Sequence, residues 1–207
     1  MNKKYFNTKN RPDIIVQGER DEAKKNVVLD LDNTLIFAEY MKKFPFEDKK
    51  IRTKSIRFEL HDMDGYYIVF ERPSVQLFLD RLFQKYNVSV WTAASKDYAL
   101  FIVKHVILAR PGRKLDYILF SHHCELSDSK YSDSKNLKML SEHFGIEDYN
   151  LTNTIIIDDH PEVYNTQPDN AIQIKVFDFM EPGSERDDEI MRTFYQLDSK
   201  FEALGKK

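Results

Sequence analysis

Cysteine is nearly absent. Cys124 stands alone in 207 residues, so no intrachain disulfide can form and the fold must rest on its core. Glycine and proline are scarce, at six and seven, about half their usual combined share near 12%. That excludes collagen-like repeats, Pro-rich linkers and low-complexity tails. No long hydrophobic run exists. The best, Tyr98 to Val103, stops at Lys104, far short of the roughly 18 apolar residues of a membrane helix. The opening Met1-Asn2-Lys3-Lys4-Tyr5-Phe6-Asn7 has no apolar h-region, so a soluble, intracellular chain, nuclear or cytoplasmic, is expected. Nor does one charge dominate. Lys+Arg 31 against Asp+Glu 34 leaves −3, too even to imply nucleic-acid or membrane binding.

What remains is a globular composition, 42% hydrophobic and 31% charged, in a length that suits one domain with insertions. A chain this long hides roughly 70% of its unfolded surface and needs no disulfide or structural metal to fold. Short apolar runs alternate with amphipathic stretches, without internal repeats. Asn26 to Leu31 reads as a strand buried on both faces and closed by acids. Ser55 to His61 and Tyr66 to Glu71 flank Asp62-Met63-Asp64-Gly65, a hairpin signal. From Ser74, the spacing of Val75, Phe78, Leu82 and Tyr86 predicts a helix. Asn87 to Thr92 is a second buried strand. A helix capped by Ser95 or Asp97 follows over Tyr98–Leu108. Tyr117 to Phe120 is a short strand, and Leu137, Leu140 and Phe144 mark a helix ended by Gly145. Thr154 to Asp159 again ends in acids, Ile172 to Val176 is a further strand, and Ile190, Phe194, Leu197, Phe201 and Leu204 share one helical face. Ser184-x-x-Asp187 is read as that helix's capping box.

Such alternation predicts an α/β fold: a central parallel sheet with helices on both faces and a β-hairpin inserted after the first strand. Residues 1–25 are then an N-terminal extension and 26–207 the domain, with the insertion at about 39–71. Ligands bind beyond the carboxyl ends of parallel strands. Here those ends carry Asp30 and Asp32, Thr92, and Asp158 and Asp159. Carboxylates so crowded resist ionisation unless a cation is present, and oxygen ligands without His or Cys select a hard ion such as Mg²⁺. Mg²⁺ recruits phosphate oxygens. An Asp on a rigid strand end is a nucleophile for phosphorus, and a carboxyl two residues on can act as general acid and base. The Thr92 hydroxyl is placed to hold a phosphate oxygen, and Lys135, opening the Lys135-Asn136-Leu137 helix, to balance its charge.

The run Asp30-Leu31-Asp32-Asn33-Thr34-Leu35 resembles the first motif of the haloacid dehalogenase superfamily. Arg72-Pro73-Ser74-Val75, Trp91-Thr92-Ala93, Lys135-Asn136-Leu137, Ile157-Asp158-Asp159 and Gln167-Pro168-Asp169-Asn170-Ala171 resemble, more narrowly, the phosphatases of the RNA polymerase II C-terminal domain. The resemblance implies a Mg²⁺-dependent protein serine/threonine phosphatase working through an aspartyl-phosphate on a phosphorylated protein or peptide. It implies Asp30 as nucleophile and metal ligand, and Asp32 as general acid/base lending its backbone carbonyl to the metal. Thr92, Ala93 and Lys135 hold the phosphate, Asp159 completes the metal site, and Asp158 acts through a metal-bound water or orients Lys135. Thr34 fixes the loop around Asp32. Tyr40 and Tyr98 match aromatic positions that cradle a proline beside the phosphoserine, while Ser95 replaces an apolar member of that pocket. The spacing from Cys124 keeps Lys130 open as the phosphate lysine. A nucleic-acid end phosphatase and a non-catalytic phosphopeptide-binding module stay open as alternatives.

Other signals have plainer readings. His122-His123-Cys124, with His143 or His160, fits no zinc ligand pattern, and Lys130 stands where a cysteine phosphatase needs arginine. His160-Pro161 reads as a turn. Between Lys42 and Arg57, seven basic residues face Glu47 and Asp48, an excess of +5. That is a solvated loop or a surface recruiting an acidic phosphorylated partner.

Overall fold

A computed structural model describes residues 15–17 and 20–206. Six strands make the main sheet: β1 (Ile15–Gln17), β2 (Asn26–Leu29), β6 (Asn87–Trp91), β7 (Leu115–Leu119), β8 (Thr154–Asp158) and β9 (Ala171–Gln173), in the order β1-β7-β6-β2-β8-β9. All neighbours are parallel except β1, which adds an antiparallel edge to β7. Beginning at β2, the chain builds outward through β6 to β7 and then crosses back to β8 on the other side. The strand order therefore reverses beside β2, where open α/β sheets bind ligands.

β2 shows why a continuous apolar run signals such a strand. Val27 and Leu29 face a core formed with α2 (Val75–Lys85), α3 (Lys96–Ile102) and the C-terminal helix α7 (Glu189–Leu204). Val28 points the other way, to Trp91, Ile156 and side chains of α5 (Lys138–Glu142) and α6 (Pro161–Thr166). Each such side chain is wholly buried, contributing roughly 1.5–3 kcal/mol.

The insertion is more than a hairpin. β3 (Ile36–Tyr40), β4 (Leu60–Met63) and β5 (Tyr67–Glu71) form an antiparallel sheet in the order β3-β5-β4, with α1 (Lys49–Ser55) between β3 and β4. Ile36, Ala38, Tyr67 and Val69 turn toward the main core. Ile68 and Phe70 turn away, into a second small core with Phe44, Phe46, Ile51, Phe58 and Phe179. The small sheet thus has one face toward the domain and one under α1.

Several boundaries correct the reading of the sequence. Ser55 ends a helix instead of starting a strand, because Asp48 accepts from Lys50 N and Ile51 N and caps α1. The strand expected from Ile172 to Val176 stops at Gln173. Ser184 does not open a capping box. Its hydroxyl donates to Phe179 O at 3.0 Å, and Asp187 is drawn to Arg72. α4 (Ser121–Tyr131) has no counterpart among the elements expected from the sequence, because it carries no apolar periodicity. Among the described residues no helix is long and apolar enough to cross a membrane.

Candidate active site

The site forms where β2 and β8 lie side by side. Asp30 N donates to Ile157 O at 3.0 Å, continuing the ladder one step past β2 and setting Asp30 beside Asp158 at the end of β8. The chain then turns sharply: Leu35 N bonds Leu31 O at 2.8 Å, with Asn33 at φ +59°. Asparagine tolerates this left-handed conformation better than most residues. The turn leaves Asp30 buried and Asp32 half-buried on the same rim.

Lys135 closes the centre. Its ammonium donates to Asp30 Oδ1 at 2.5 Å and to Asp158 Oδ2 at 2.7 Å, and all three residues are at most 5% exposed. Burial, helped by the charges of Asp158 and Asp32, drives the Asp30 carboxyl up to about 7 against the attraction of Lys135. Burial also works against the Lys135 charge, but Asp30 and Asp158 outweigh it and hold the ammonium more basic than usual. Burial raises Asp32, and burial with Asp158 raises Asp159. Carboxyl oxygens of Asp30, Asp158 and Asp159 lie within 4.8 Å of one another, an all-oxygen set that suits a hard divalent cation.

Lys135 is held by backbone contacts in a loop three residues before α5, not at a helix start. Asp133, itself buried, accepts from Lys135 N at 3.2 Å and from Thr166 Oγ1 at 2.8 Å. Gln167 donates to Lys135 O at 2.8 Å and accepts from Leu137 N. Ser127 on α4 donates to Asp133 O at 2.6 Å and accepts from Asn136 N. These supports have no signature in periodicity or charge, so reading the sequence missed Asp133 and Ser127. Lys130 lies exposed on α4.

The remaining predicted residues fall around this centre. Buried Thr92, just past β6, accepts from Ala94 N at 3.0 Å, and Ala93 is exposed. Thr34 reaches Asp159 Oδ1 at 3.3 Å, so its hydroxyl touches the second acid pair and not Asp32. Tyr98 donates to Asp32 Oδ1 at 2.5 Å; burial and the Asp32 charge push its phenol well above the ordinary range. Tyr40 does not touch Tyr98 directly. Tyr67 stands between them, 5.3 Å from Tyr98 and stacked 4.6 Å from Tyr40. Its place opposite Tyr40 follows from the β3–β5 register, which no local sequence signal revealed.

Two further residues hold the turn. Arg72, 1% exposed, donates to Thr34 O at 3.0 Å and makes a two-pronged pair with Asp187 at 2.7 and 2.9 Å. The histidines have other work. His123 Nδ1 accepts from Phe120 N at 2.8 Å. Cys124 donates to Thr92 O across 3.6 Å, and burial pushes its thiol up to about 11, unlike a nucleophilic thiolate.

A family model for NLI interacting factor-like phosphatases matches residues 25–204. Protein 355R of Invertebrate iridescent virus 6, described as CTD phosphatase-like, is 44% identical over 176 residues, 81% of this chain and 94% of its own. Its namesake from Invertebrate iridescent virus 3 is 40% identical over 185 residues, 86% of this chain and 98% of its own. Among solved structures, fission yeast RNA polymerase II CTD phosphatase Fcp1 bound to beryllium fluoride superposes with a TM-score of 0.56 at 19% identity. That match covers 88% of this chain and 52% of the other, so the chain spans about half of that protein's length, and the likeness speaks to fold alone. With a parallel sheet ending in paired acids and a family match over nearly its whole length, the chain belongs to the NLI interacting factor-like phosphatases.

Proposed function

We propose that the protein is a Mg²⁺-dependent phosphatase that takes phosphate from phosphoserine or phosphothreonine in proteins, with Asp30 as nucleophile. The observation that carries this reading is the buried meeting of Asp30, Asp158 and Lys135 beside Asp159 at the sheet's switch point. The donor set fits Mg²⁺: Asp30, Asp159 and the Asp32 carbonyl would hold it, with Asp158 close by. Bound there, the ion would offset the charge that phosphate and carboxylates bring together.

The residues supply the rest. An Asp30 oxygen bonds to phosphorus as the bond to the serine or threonine oxygen breaks, giving an aspartyl-phosphate. Asp32, which burial favours in its protonated form, gives its proton to the departing oxygen. As a carboxylate it then takes a proton from the water that attacks phosphorus, releasing phosphate and restoring Asp30. Thr92, Ala93 and Lys135 contact the transferring group, and Lys135 limits repulsion between phosphate and Asp158. Tyr98 and Tyr40 form one wall for the residues beside the phosphate. Relatives described as CTD phosphatase-like support a phosphorylated protein substrate, with the RNA polymerase II C-terminal domain as the first to try.

Phosphate release from p-nitrophenyl phosphate and from a phosphoserine peptide tests the reading. Turnover should vanish with Asp30→Asn and with EDTA. Retained turnover in Asp30→Asn ends the mechanism.

A further inference from the structure

Charge is distributed unevenly along the chain. Residues 42–57 carry Lys42, Lys43, Lys49, Lys50, Arg52, Lys54 and Arg57 against Glu47 and Asp48. That net +5 sits in a chain of net −3, leaving −8 for everything else. Four of the seven, Lys49, Lys50, Lys54 and Arg57, line one cleft between α1 and the 182–185 segment, together with Asp48 and Glu185. Two of the four cations are already engaged: Lys54 donates to Glu181 O, and Arg57 pairs with Glu185. Lys49, Lys50 and Arg52 are exposed.

A second feature marks the same surface. Ile56, at the end of α1, is 83% exposed while Ile51 and Phe58 on either side pack inward. Among the described residues it is the most exposed large apolar side chain, and it is flanked by cations. An isolated exposed isoleucine needs no explanation; one set in so positive a segment offers an apolar anchor within a basic face.

A path joins the first residues of this segment to the reacting centre. From Asp32 it runs through Tyr98, Tyr67 and Tyr40 to Lys43, whose ammonium lies 5.2 Å from the Tyr40 ring. At about 3.3 Å per extended residue, roughly six residues of substrate reach from Asp32 to Lys43, where the basic segment begins.

We propose that residues 42–57 dock an acidic segment of the phosphoprotein substrate, remote in its sequence from the phosphoresidue and carrying an apolar side chain for Ile56. This rests on the proposed phosphatase activity and specifies the substrate it prefers. A polypeptide fits better than nucleic acid. Phe44, Phe46 and Phe58 turn into the small core, so residues 42–57 present no aromatic platform of their own for bases, and the acidic remainder repels a long polyanion.

The test compares a short phosphoserine peptide with the same peptide extended, on either side, by about six glutamates and a leucine. For the wild-type chain at low salt, the extension should raise kcat/KM on the order of tenfold, chiefly through KM, and the gain should fade near 0.5 M salt. Lys49→Glu/Lys50→Glu should erase the gain, and Ile56→Ser should reduce it. These sites are exposed, so the variants should fold. Equal treatment of both peptides by the wild type, a gain that survives charge reversal, or stronger competition by an oligonucleotide than by polyglutamate overturns the inference. Absence of turnover on either peptide and on p-nitrophenyl phosphate sinks the phosphatase reading instead. Fluorescence anisotropy of labelled polyglutamate, bound by the wild type but not by the charge-reversed variant, then decides the docking on its own.

Discussion

Lys135→Met is the sharpest test of the site's electrostatics. The substitution keeps a linear side chain but deletes the ammonium bonded to Asp30 and Asp158. Two buried carboxylates are left facing one another, and breaking a buried pair this way costs about 3–5 kcal/mol. The cost depends on pH in a definite sense. Asp30 already stands at about 7 through burial despite the pull of Lys135, so losing Lys135 pushes it higher. A carboxyl whose folded value is raised disfavours folding only once it must ionise. The deficit of Lys135→Met should therefore be small near pH 4 and grow as pH rises through 7 and beyond. Urea denaturation in EDTA at pH 5 and pH 8 measures it. Adding Mg²⁺ at pH 8 should recover part of the loss, because a ligand that binds only the folded chain stabilises it. Asp158→Asn placed on Lys135→Met should recover stability too, a coupling that independent sites would not show. If Lys135→Met in EDTA at pH 8 unfolds within about 0.5 kcal/mol of the wild type, the argument from crowded carboxylates fails.

Other perturbations follow from particular contacts. Tyr98→Phe removes the hydroxyl that lowers Asp32, so the limb of the kcat/KM profile reporting loss of the general acid should move to higher pH; an unmoved limb refutes the assignment of Asp32. Asp187→Ala strands the buried Arg72 guanidinium and should cost about 3–5 kcal/mol in denaturant unfolding, while loosening the turn that Arg72 holds through Thr34 O. Asp80 behaves differently: burial opposes its charge, but Arg113 and Arg110 prevail and hold its carboxyl below the usual range. Its contribution is present above pH 4 and lost as pH falls, and at a part-exposed site amounts to no more than about 1 kcal/mol. Asp80→Asn should thus flatten the acid limb of a stability profile slightly, and an unchanged limb counts against the pair.

How far the molecule could be read in advance varies from element to element. β2 and β8 were plain because a strand buried on both faces must be apolar throughout, and acids can follow only where the sheet opens to solvent. α2 and α7 were plain because each offers one apolar stripe to one core. α4 was not. It buries only His123, Cys124 and Ser127, too few for a stripe, and its value lies in the hydroxyl of Ser127. α1 was lost in a charged run because one carboxylate, Asp48, decides its start.

Local chemistry along the chain was enough to single out Asp30, Asp32, Thr92, Asp158 and Asp159 as candidates, since each lies at or near the end of a strand, and it left Lys135 and Lys130 both open. Only the tertiary structure chose Lys135 over Lys130 as the partner of Asp30, put Tyr67 between Tyr40 and Tyr98, and joined Arg72 to Asp187 across 115 residues. The physical reason is range. Periodicity and capping act over a few residues, whereas a buried charge is satisfied by whichever opposite charge the packed chain brings within hydrogen-bonding distance.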